Sequence, residues 1–176
     1  MLYNNVSRKR SWSKHVKAPQ TTSKPDIQQK KIMLSVWWDW KGVVYYELLP
    51  RNQRINSNVY YQQLDKLSTA INEKRPELIK RKDVIFHQDK ARPHTSLVTR
   101  QKLRVLGREL LMHPPYSSDL APLDYHLLRS LQNYLNGKYF DNDEVIQKQL
   151  VQFFAGKGQK FYERGVMNLP ERWQVY

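Results

Sequence analysis

The sequence predicts a single domain of mixed α/β class. Apolar patterns alternate along the chain in the order strand, strand, helix, strand, helix, strand, which is typical of a sheet with helices packed beside it. With 176 residues, 40% of them apolar, the chain is long enough to bury one core. It has no cysteine, which excludes a disulfide framework and a thiolate metal site.

The first two predicted strands form a hairpin. Residues 32–40 and 43–49 are rich in aromatic and β-branched residues, and Lys41-Gly42 lies between them as a turn. The three tryptophans of this segment are interpreted as core and cross-strand packing residues, with base stacking as the alternative. Asp39 and Glu47 are interpreted as turn and edge acids.

Apolar residues at helical spacing predict the next helix, and they are Tyr60, Leu64, Leu67 and Ile71. Pro76 should end or kink this helix. A short strand over residues 84–87 follows, then a helix from about Thr95 to Leu106 that Gly107 closes, and then a strand over residues 109–112.

The last part of the chain should be helical after Pro122. One apolar stripe predicts the first helix there, and it consists of Leu127, Leu128, Leu131, Tyr134 and Leu135. Asn136-Gly137 is a stop signal, and a further helix is predicted over roughly residues 143–154. The tail that contains Tyr162 and Trp173 should dock back onto the domain as helix and coil.

The charge of the chain points to a polyanionic partner. It contains 30 basic and 16 acidic residues, a net charge of +14, and nucleic acid is the first expectation. We treat residues 1–30 as a basic N-terminal segment and residues 31–176 as the folded domain. No run of 18 apolar residues occurs, so we expect an intracellular protein with no membrane span.

Two aspartates stand where chemistry is expected. Asp89 directly follows the short apolar strand, and ligands gather at the carboxyl ends of strands in α/β sheets. Asp124 precedes Leu127 and Leu128 by three and four residues, so it should point toward the core-facing stripe and need a partner. A divalent cation would be such a partner. The alternatives are a turn aspartate at Asp89 and a helix-dipole acid at Asp124.

Three motifs carry a resemblance to a known family. The segments HQDKARPH, PPYSSDLAPLDYHL and WWDWKGVVYYELLP resemble the catalytic domain of mariner-family (Tc/mariner) transposases, over about residues 2–174. Similar domains also occur fused to a SET-type histone-methyltransferase module. The resemblance implies an RNase-H-like mixed sheet of the retroviral integrase superfamily, flanked by helices. It also implies metal-dependent DNA cleavage and strand transfer in the nucleus.

The same resemblance implies the catalytic residues. The family uses three aspartates that bind Mg²⁺ or Mn²⁺, and Asp89 and Asp124, with 34 residues between them, match the second and third. The segment from Leu2 to Asn5 resembles the end of the first strand, which carries the first aspartate and lies in the middle of the sheet. We therefore expect most of that strand, and the helix-turn-helix region before it, to be absent from this chain.

The sequence departs from the family pattern near both aspartates. Lys90 replaces an asparagine, so it is expected to pair with Asp89 and compete with a metal ion. Ser118 replaces a proline, which should loosen its loop. A zinc site at His87 and His94 is not expected, because their spacing is unusual for zinc ligands, and His113 and His126 are interpreted as structural.

Two functions remain open at this point. The favoured one is a truncated transposase domain that binds DNA non-specifically, allows a homodimer and is inactive as given. The alternative is the C-terminal part of an active transposase or fusion protein whose first aspartate lies upstream of Met1. If the third acid lay within this chain, Asp26, Asp39 or Glu47 would have to supply it.

Overall fold

The structure, a computed structural model, describes residues 31–80, 84–111 and 113–174. Its first elements are β1 (Met33–Asp39) and β2 (Gly42–Leu49), which pair antiparallel. Asp39 Oδ1 accepts hydrogen bonds from the backbone N–H groups of Lys41 and Gly42, at 2.8 and 2.9 Å. Gly42 has a φ of +147°, which a side chain would disfavour. The predicted hairpin and the turn role of Asp39 are confirmed.

The other regular elements follow in the predicted order. They are α1 (Ser57–Lys74), α2 (Pro76–Lys80), β3 (Ile85–His87), α3 (Arg92–Thr95), α4 (Leu97–Val105), β4 (Glu109–Leu111), a 3-10 turn (Ser118–Leu120), a π-helical segment (Leu123–Leu128), α5 (Arg129–Leu135), α6 (Asp143–Ala155), α7 (Gln159–Met167) and α8 (Leu169–Gln174). Pro76 ends α1 and opens α2, as expected for a residue that lacks a backbone N–H. None of the helices in the described ranges is both long and apolar enough to cross a bilayer.

The four described strands form two sheets of two strands each. β1 pairs with β2, whereas β3 runs parallel to β4 with Phe86 opposite Leu110. The first strand of the expected mixed sheet, at residues 2–5, lies outside the described residues. Within the part of the chain that the structure describes, the expected single sheet is therefore present as two separate strand pairs.

The hairpin separates two apolar cores. The large core packs one face of it against α5, α6 and α7, and consists of Ile32, Val36, Leu127, Leu131, Leu135, Phe140, Ile146, Leu150, Phe153 and Tyr162. The small core packs the hairpin against α1 and α4, and consists of Val44, Tyr60, Leu64, Leu67, Ala70 and Leu103. The two predicted apolar stripes, on α1 and on α5 with its preceding segment, face these cores.

The tryptophans of the hairpin differ in their environment. Trp37 stacks on Tyr45 across the hairpin at 5.5 Å between ring centroids, and Trp38 stacks on His126 at 6.3 Å. Trp40 lies at the hairpin tip and is 42% exposed. The prediction of a packing role is thus confirmed for two tryptophans and wrong for the third, since β1 ends before Trp40 and leaves its ring in solvent.

The helix predicted from Thr95 to Leu106 is interrupted at its start. Ser96 has an extended backbone and separates α3 from α4, and its Oγ accepts a hydrogen bond from the N–H of Thr99 at 3.2 Å. Ser96 is therefore the N-cap of α4, and the preceding turn is a separate helix that begins at Arg92-Pro93. The predicted stop at Gly107 is confirmed by its φ of +64°.

The tail packs back onto the domain as predicted. Tyr162 of α7 is buried in the large core, and Gly165 of the same helix lies directly against Trp38 and His126. His126 Nε2 forms a hydrogen bond with the carbonyl of Phe161 at 2.8 Å. These contacts hold α7 between the hairpin and the π-helical segment.

Candidate functional site

Asp89 lies immediately after β3 in a tightly bonded turn. Its Oδ1 accepts a hydrogen bond from the backbone N–H of Ala91 at 3.0 Å and also pairs with Nδ1 of His94. The hydrogen bond from His94, with that from Ala91, lowers the pKa of the Asp89 carboxyl. Asp89 is thus held as a carboxylate, and its side chain remains 57% exposed.

A buried tyrosine packs against this turn. The Tyr60 ring, which is 3% exposed, packs on the His94 ring with 4.2 Å between their centroids. The Tyr60 hydroxyl donates to Oε1 of Gln88 at 2.7 Å, and Nε2 of Gln88 donates to the carbonyl of His94 at 2.9 Å. Helix α1 therefore fixes both ends of the segment that carries Asp89.

Asp124 lies in the π-helical segment, a rare conformation that is frequent at functional sites. Its backbone N–H donates to the carbonyl of Ala121 at 2.9 Å, but its carboxylate has no hydrogen-bond partner among the described residues. The expectation that it points at the core-facing stripe is wrong, because Asp124 is exposed while Leu127 is fully buried. The i→i+5 bonding of a π-helix changes the angular spacing on which that expectation depended.

The charge of Asp89 acts on Asp124. Partial burial raises the pKa of Asp124, and the negative charge of Asp89 raises it further. His113 acts in the opposite direction on Asp124, and it also lowers the pKa of Asp89. Asp89 and His113 are therefore close enough to Asp124 to affect its pKa, whereas the pocket that Asp89 and His113 line does not include Asp124.

A histidine pair lies beside Asp89, and His113 lines the same pocket as Asp89. His87 Nε2 and His113 Nδ1 are 3.1 Å apart, and His113 is 5% exposed. Burial, and secondly the proximity of His113, lowers the pKa of His87 to about 4. The predicted structural role of His113 fits this position. His87 pairs with His113, whereas His94 pairs with Asp89.

The C-terminal helix braces the loop that leads to Asp124. Arg172 Nη1 donates to the carbonyl of Asp119 at 3.0 Å, and Trp173 Nε1 donates to that of Leu120 at 3.2 Å. The Trp173 ring also contacts both histidines of the buried pair, with 6.4 Å between ring centroids in each case. The sequence placed Trp173 in a docking tail, but no pattern in it indicated this target.

Lys90 does not behave as expected. It is exposed, and among the described residues Asp89 pairs with His94 rather than with Lys90. His94 reaches the carboxylate because the Arg92-Pro93 turn brings it back over Asp89. Lys90 instead lines a pocket beside Asp89 together with Arg100. The effect of Ser118 on its loop stays a prediction.

A third acid does not join the two aspartates in the described part of the chain. Asp39 pairs with Arg75 at 2.7 Å, and Glu47 accepts from Gln63 at 2.9 Å and pairs with Lys66. Asp26 lies outside the described residues. Residues 31–80, 84–111 and 113–174 contain no group of three or more histidines and acids arranged to hold a metal ion.

Known proteins are similar to this chain over nearly its whole length. A family model described as a transposase (partial DDE domain) matches residues 2–81. The mariner Mos1 transposase of Drosophila mauritiana is 45% identical over 175 residues, which are 99% of this chain and 51% of that protein. The histone-lysine N-methyltransferase SETMAR of Homo sapiens is 37% identical over 174 residues, which are 99% of this chain and 25% of that protein.

Solved structures give the same result. The Mos1 transposase paired-end complex with left transposon end matches with a TM-score of 0.89 and 42% identity, over 99% of this chain and 51% of that one. The Mos1 catalytic domain with Raltegravir and Mn matches with a TM-score of 0.80 and 47% identity, over 82% of this chain and 73% of that one.

The chain spans about half the length of the Mos1 transposase and a quarter of SETMAR. Its match to the Mos1 catalytic domain confirms the RNase-H-like fold class that the sequence predicts. The chain belongs to the mariner family of transposases, and the part of that family it represents is the catalytic domain.

Proposed function

We propose that this chain is a DNA-binding transposase domain in which Asp89 and Asp124 hold a divalent metal ion, Mg²⁺ or Mn²⁺. The observation that carries this proposal is that Trp173 links the segments of the two aspartates. Its ring contacts His87, just before Asp89, and its Nε1 donates to the carbonyl of Leu120, just before Asp124. When bound, such an ion neutralises charge on a DNA phosphate and activates the attacking oxygen. On its own, the chain is expected not to cleave DNA.

The local chemistry fits a cation. Asp124 has a carboxylate without a hydrogen-bond partner in the described part of the chain, and the neighbouring charge of Asp89 disfavours its ionisation. A bound cation relieves that repulsion. Asp89 uses Oδ1 for His94 and Ala91, so Oδ2 remains for a ligand. His94 and Ala91 thereby fix the orientation of the Asp89 carboxylate.

Two carboxylates are few for this chemistry. Mg²⁺ and Mn²⁺ take about six oxygen ligands, and two-metal sites use several carboxylates to hold both ions. We therefore expect weak binding, with water completing the ligand set. Cleavage requires metal ligands that are held rigidly in place. At least one more acid is needed than the described residues bring together.

A second candidate is part of an active enzyme. It is favoured by the share of Mos1 that the chain spans, 51% of that protein at 45% identity. In that case a third acid outside the described residues joins Asp89 and Asp124. The two candidates differ in one observable, which is whether the natural sequence directly upstream of Met1 encodes a strand that carries an aspartate.

DNA is the proposed partner, and the nucleus the proposed location. The net charge of +14 favours phosphate contacts that are independent of sequence. The Mos1 relative forms a paired-end complex with a transposon end. For this chain we expect log K to fall linearly with log salt at a similar slope for unrelated duplexes. A strong preference for one duplex would contradict non-specific binding, and analytical ultracentrifugation tests the proposed homodimer.

Metal binding is tested by calorimetry with Mn²⁺. Asp89→Ala and Asp124→Ala should each remove the binding seen in the unchanged chain, because either one alone leaves too few oxygen ligands. Asp141→Ala, at an exposed acid in the loop before α6, is the matched control and should bind as before. Binding that survives in both site variants would place the metal elsewhere.

Cleavage is tested on supercoiled plasmid with Mn²⁺. The 176-residue chain should leave it intact. The chain extended by an upstream strand that carries an aspartate should nick it, and Asp89→Ala should abolish the nicking. Nicking by the unextended chain that depends on Asp89 would overturn the inactive assignment, because an acid within residues 1–176 would then be the third ligand.

A further inference from the structure

Four cations form a ridge that starts at the candidate site. They are Lys90, Arg92, Arg100 and Arg104, which we call the basic ridge, and all four are exposed. Residues 90–104 contain five basic residues and no acid. In the part of the chain that the structure describes, no side chain of the ridge forms an ion pair. The fifth cation of the segment, Lys102, pairs with Asp65 of α1 instead.

The orientation of the ridge is fixed by the packing of α4. Thr99 and Leu103 are buried on the inner side of this helix, at 0% and 3% exposure. Each is followed by an outward-facing arginine, Arg100 and Arg104. These two residues are one helical turn apart, a rise of about 6 Å along the axis. The outer face of α4 therefore presents two regularly spaced guanidinium groups that no acid neutralises.

The ridge is continuous with the candidate metal ligands. Lys90 and Arg100 line the same pocket as Asp89 and His113. A ligand that lies along α4 and enters this pocket meets cations first and the carboxylate of Asp89 last. Such a sequence of charges suits a polyanion whose terminal or scissile phosphate reaches Asp89 through a metal ion.

We propose that the basic ridge binds the phosphate backbone of the DNA strand that reaches Asp89. This inference rests on the proposed function and adds the path of the strand to it. Arginine is suited to the task because its planar guanidinium matches phosphate oxygens. Lys90 adds a phosphate contact here instead of pairing with Asp89, whose partner is His94.

The test measures the salt dependence of binding to a duplex of fixed sequence by fluorescence anisotropy. The slope of log K against log salt is negative, and each lost phosphate contact reduces its magnitude by about 0.9. The double variant Arg100→Gln/Arg104→Gln should lower the slope by about 1.8, and Lys90→Asn by about 0.9. The matched control is Lys148→Gln/Lys160→Gln, which removes two exposed cations from α6 and α7 and should leave the slope nearly unchanged.

The outcomes separate the ridge from the metal site. If both double variants lower the slope equally, the charge acts diffusely and the ridge is not a DNA track. Arg104→Gln, at a residue that does not line the pocket of Asp89, should bind Mn²⁺ as the unchanged chain does. If Mn²⁺ binding is absent throughout but the slope falls only in the ridge variants, the metal proposal fails and the ridge proposal stands.

A protein partner is the other occupant that this face admits. Leu97 and Val105 of α4 are 70% and 83% exposed beside the arginines. If sedimentation shows self-association that Leu97→Gln/Val105→Gln removes, while the ridge variants leave the salt slope unchanged, α4 is a protein interface and the proposal is overturned. Thermal unfolding of each variant shows whether its fold is retained, as expected for exposed positions.

Discussion

The two candidate aspartates are held in place by different physical interactions. Asp89 lies in a polar network in which its own oxygen accepts two hydrogen bonds and Tyr60 supports His94. Asp124 has no bond to its carboxylate in the described part of the chain, and its position depends on the apolar residues that follow it. Leu127 and Leu131 anchor its helix in the large core.

This difference suggests how the surroundings of each aspartate tolerate substitution. The network around Asp89 fixes the orientation of one carboxylate through short polar contacts, which are sensitive to single atoms. The helix of Asp124 fixes only the position of its backbone and leaves the carboxylate free to meet a cation. Substitutions near Asp124 should therefore act through stability, and substitutions near Asp89 through geometry.

The largest effect is expected from Leu127→Ala. Leu127 is 0% exposed in the large core, and truncation leaves a cavity that costs about 2–5 kcal/mol of unfolding free energy. Leu97→Ala is the control, since Leu97 is 70% exposed and should change stability by no more than about 0.5 kcal/mol. Urea denaturation compares the two. Equal losses would mean that packing does not distinguish these sites.

The next largest effect is expected from Gly165→Ala in α7. The added Cβ would lie 2.5 Å from Cδ2 of His126 and 2.7 Å from Cη2 of Trp38, so two packed rings must move. We expect a loss of about 1–3 kcal/mol, despite the better helix propensity of alanine. Gly158→Ala, where no atom lies within 4 Å of the new Cβ, should cost less. Thermal unfolding checks the order, and the reverse order would contradict the close packing of α7.

A smaller effect is expected from Tyr60→Phe on the Asp89 side. The substitution keeps the ring over His94 but removes the hydroxyl that donates to Gln88 at 2.7 Å. A loss of about 0.5–1.5 kcal/mol follows for one hydrogen bond. Mn²⁺ affinity should fall as well, because Gln88 then no longer fixes the turn. Unchanged Mn²⁺ affinity would show that the network does not orient Asp89.

The smallest effects should have opposite signs. Asp89 has a lowered pKa, so its charge stabilises the fold above its unfolded value of 3.8, and that contribution is lost as pH falls through the folded pKa. Asp124 has a raised pKa, so its charge destabilises the fold at neutral pH, and the penalty disappears as pH falls below that unfolded value. At pH 7, Asp89→Asn should therefore lower the melting temperature and Asp124→Asn should raise it.

Both changes should stay below about 1 kcal/mol, because the two side chains are exposed. The Asp124 effect should shrink as the pH falls toward 3.8, and the Asp89 effect should shrink only as the pH falls below that value. Melting curves at several pH values measure them. Two changes of the same sign at pH 7 would contradict the contrast between the two aspartates.

The sequence predicted most elements because their signals are local. The stripe Tyr60, Leu64 and Leu67 and the stops at Gly107 and Gly137 depend on spacing and backbone conformation within a few residues. The orientation of Asp124 could not be obtained in this way, because a π-helical segment alters the helical period on which the prediction relied.

The contacts of the site were also beyond sequence reasoning. Lys90 is adjacent to Asp89 in the chain, yet His94 pairs with it because a turn and the Tyr60 ring place that histidine over the carboxylate. Trp173 contacts His87 from a distance of more than eighty residues along the chain. Such pairings depend on tertiary packing, for which a single sequence contains no local signal.

The position of the hairpin between both cores has a consequence for how the domain opens. Val36 belongs to the large core and Val44 to the small one, so neither core can separate from the hairpin without exposing apolar surface on it. Local opening should therefore be confined to peripheral segments, and the amide protons of β1 and β2 should exchange with solvent only through global unfolding. The halves that carry Asp89 and Asp124 should then behave as one cooperative unit, although their cores share no residue.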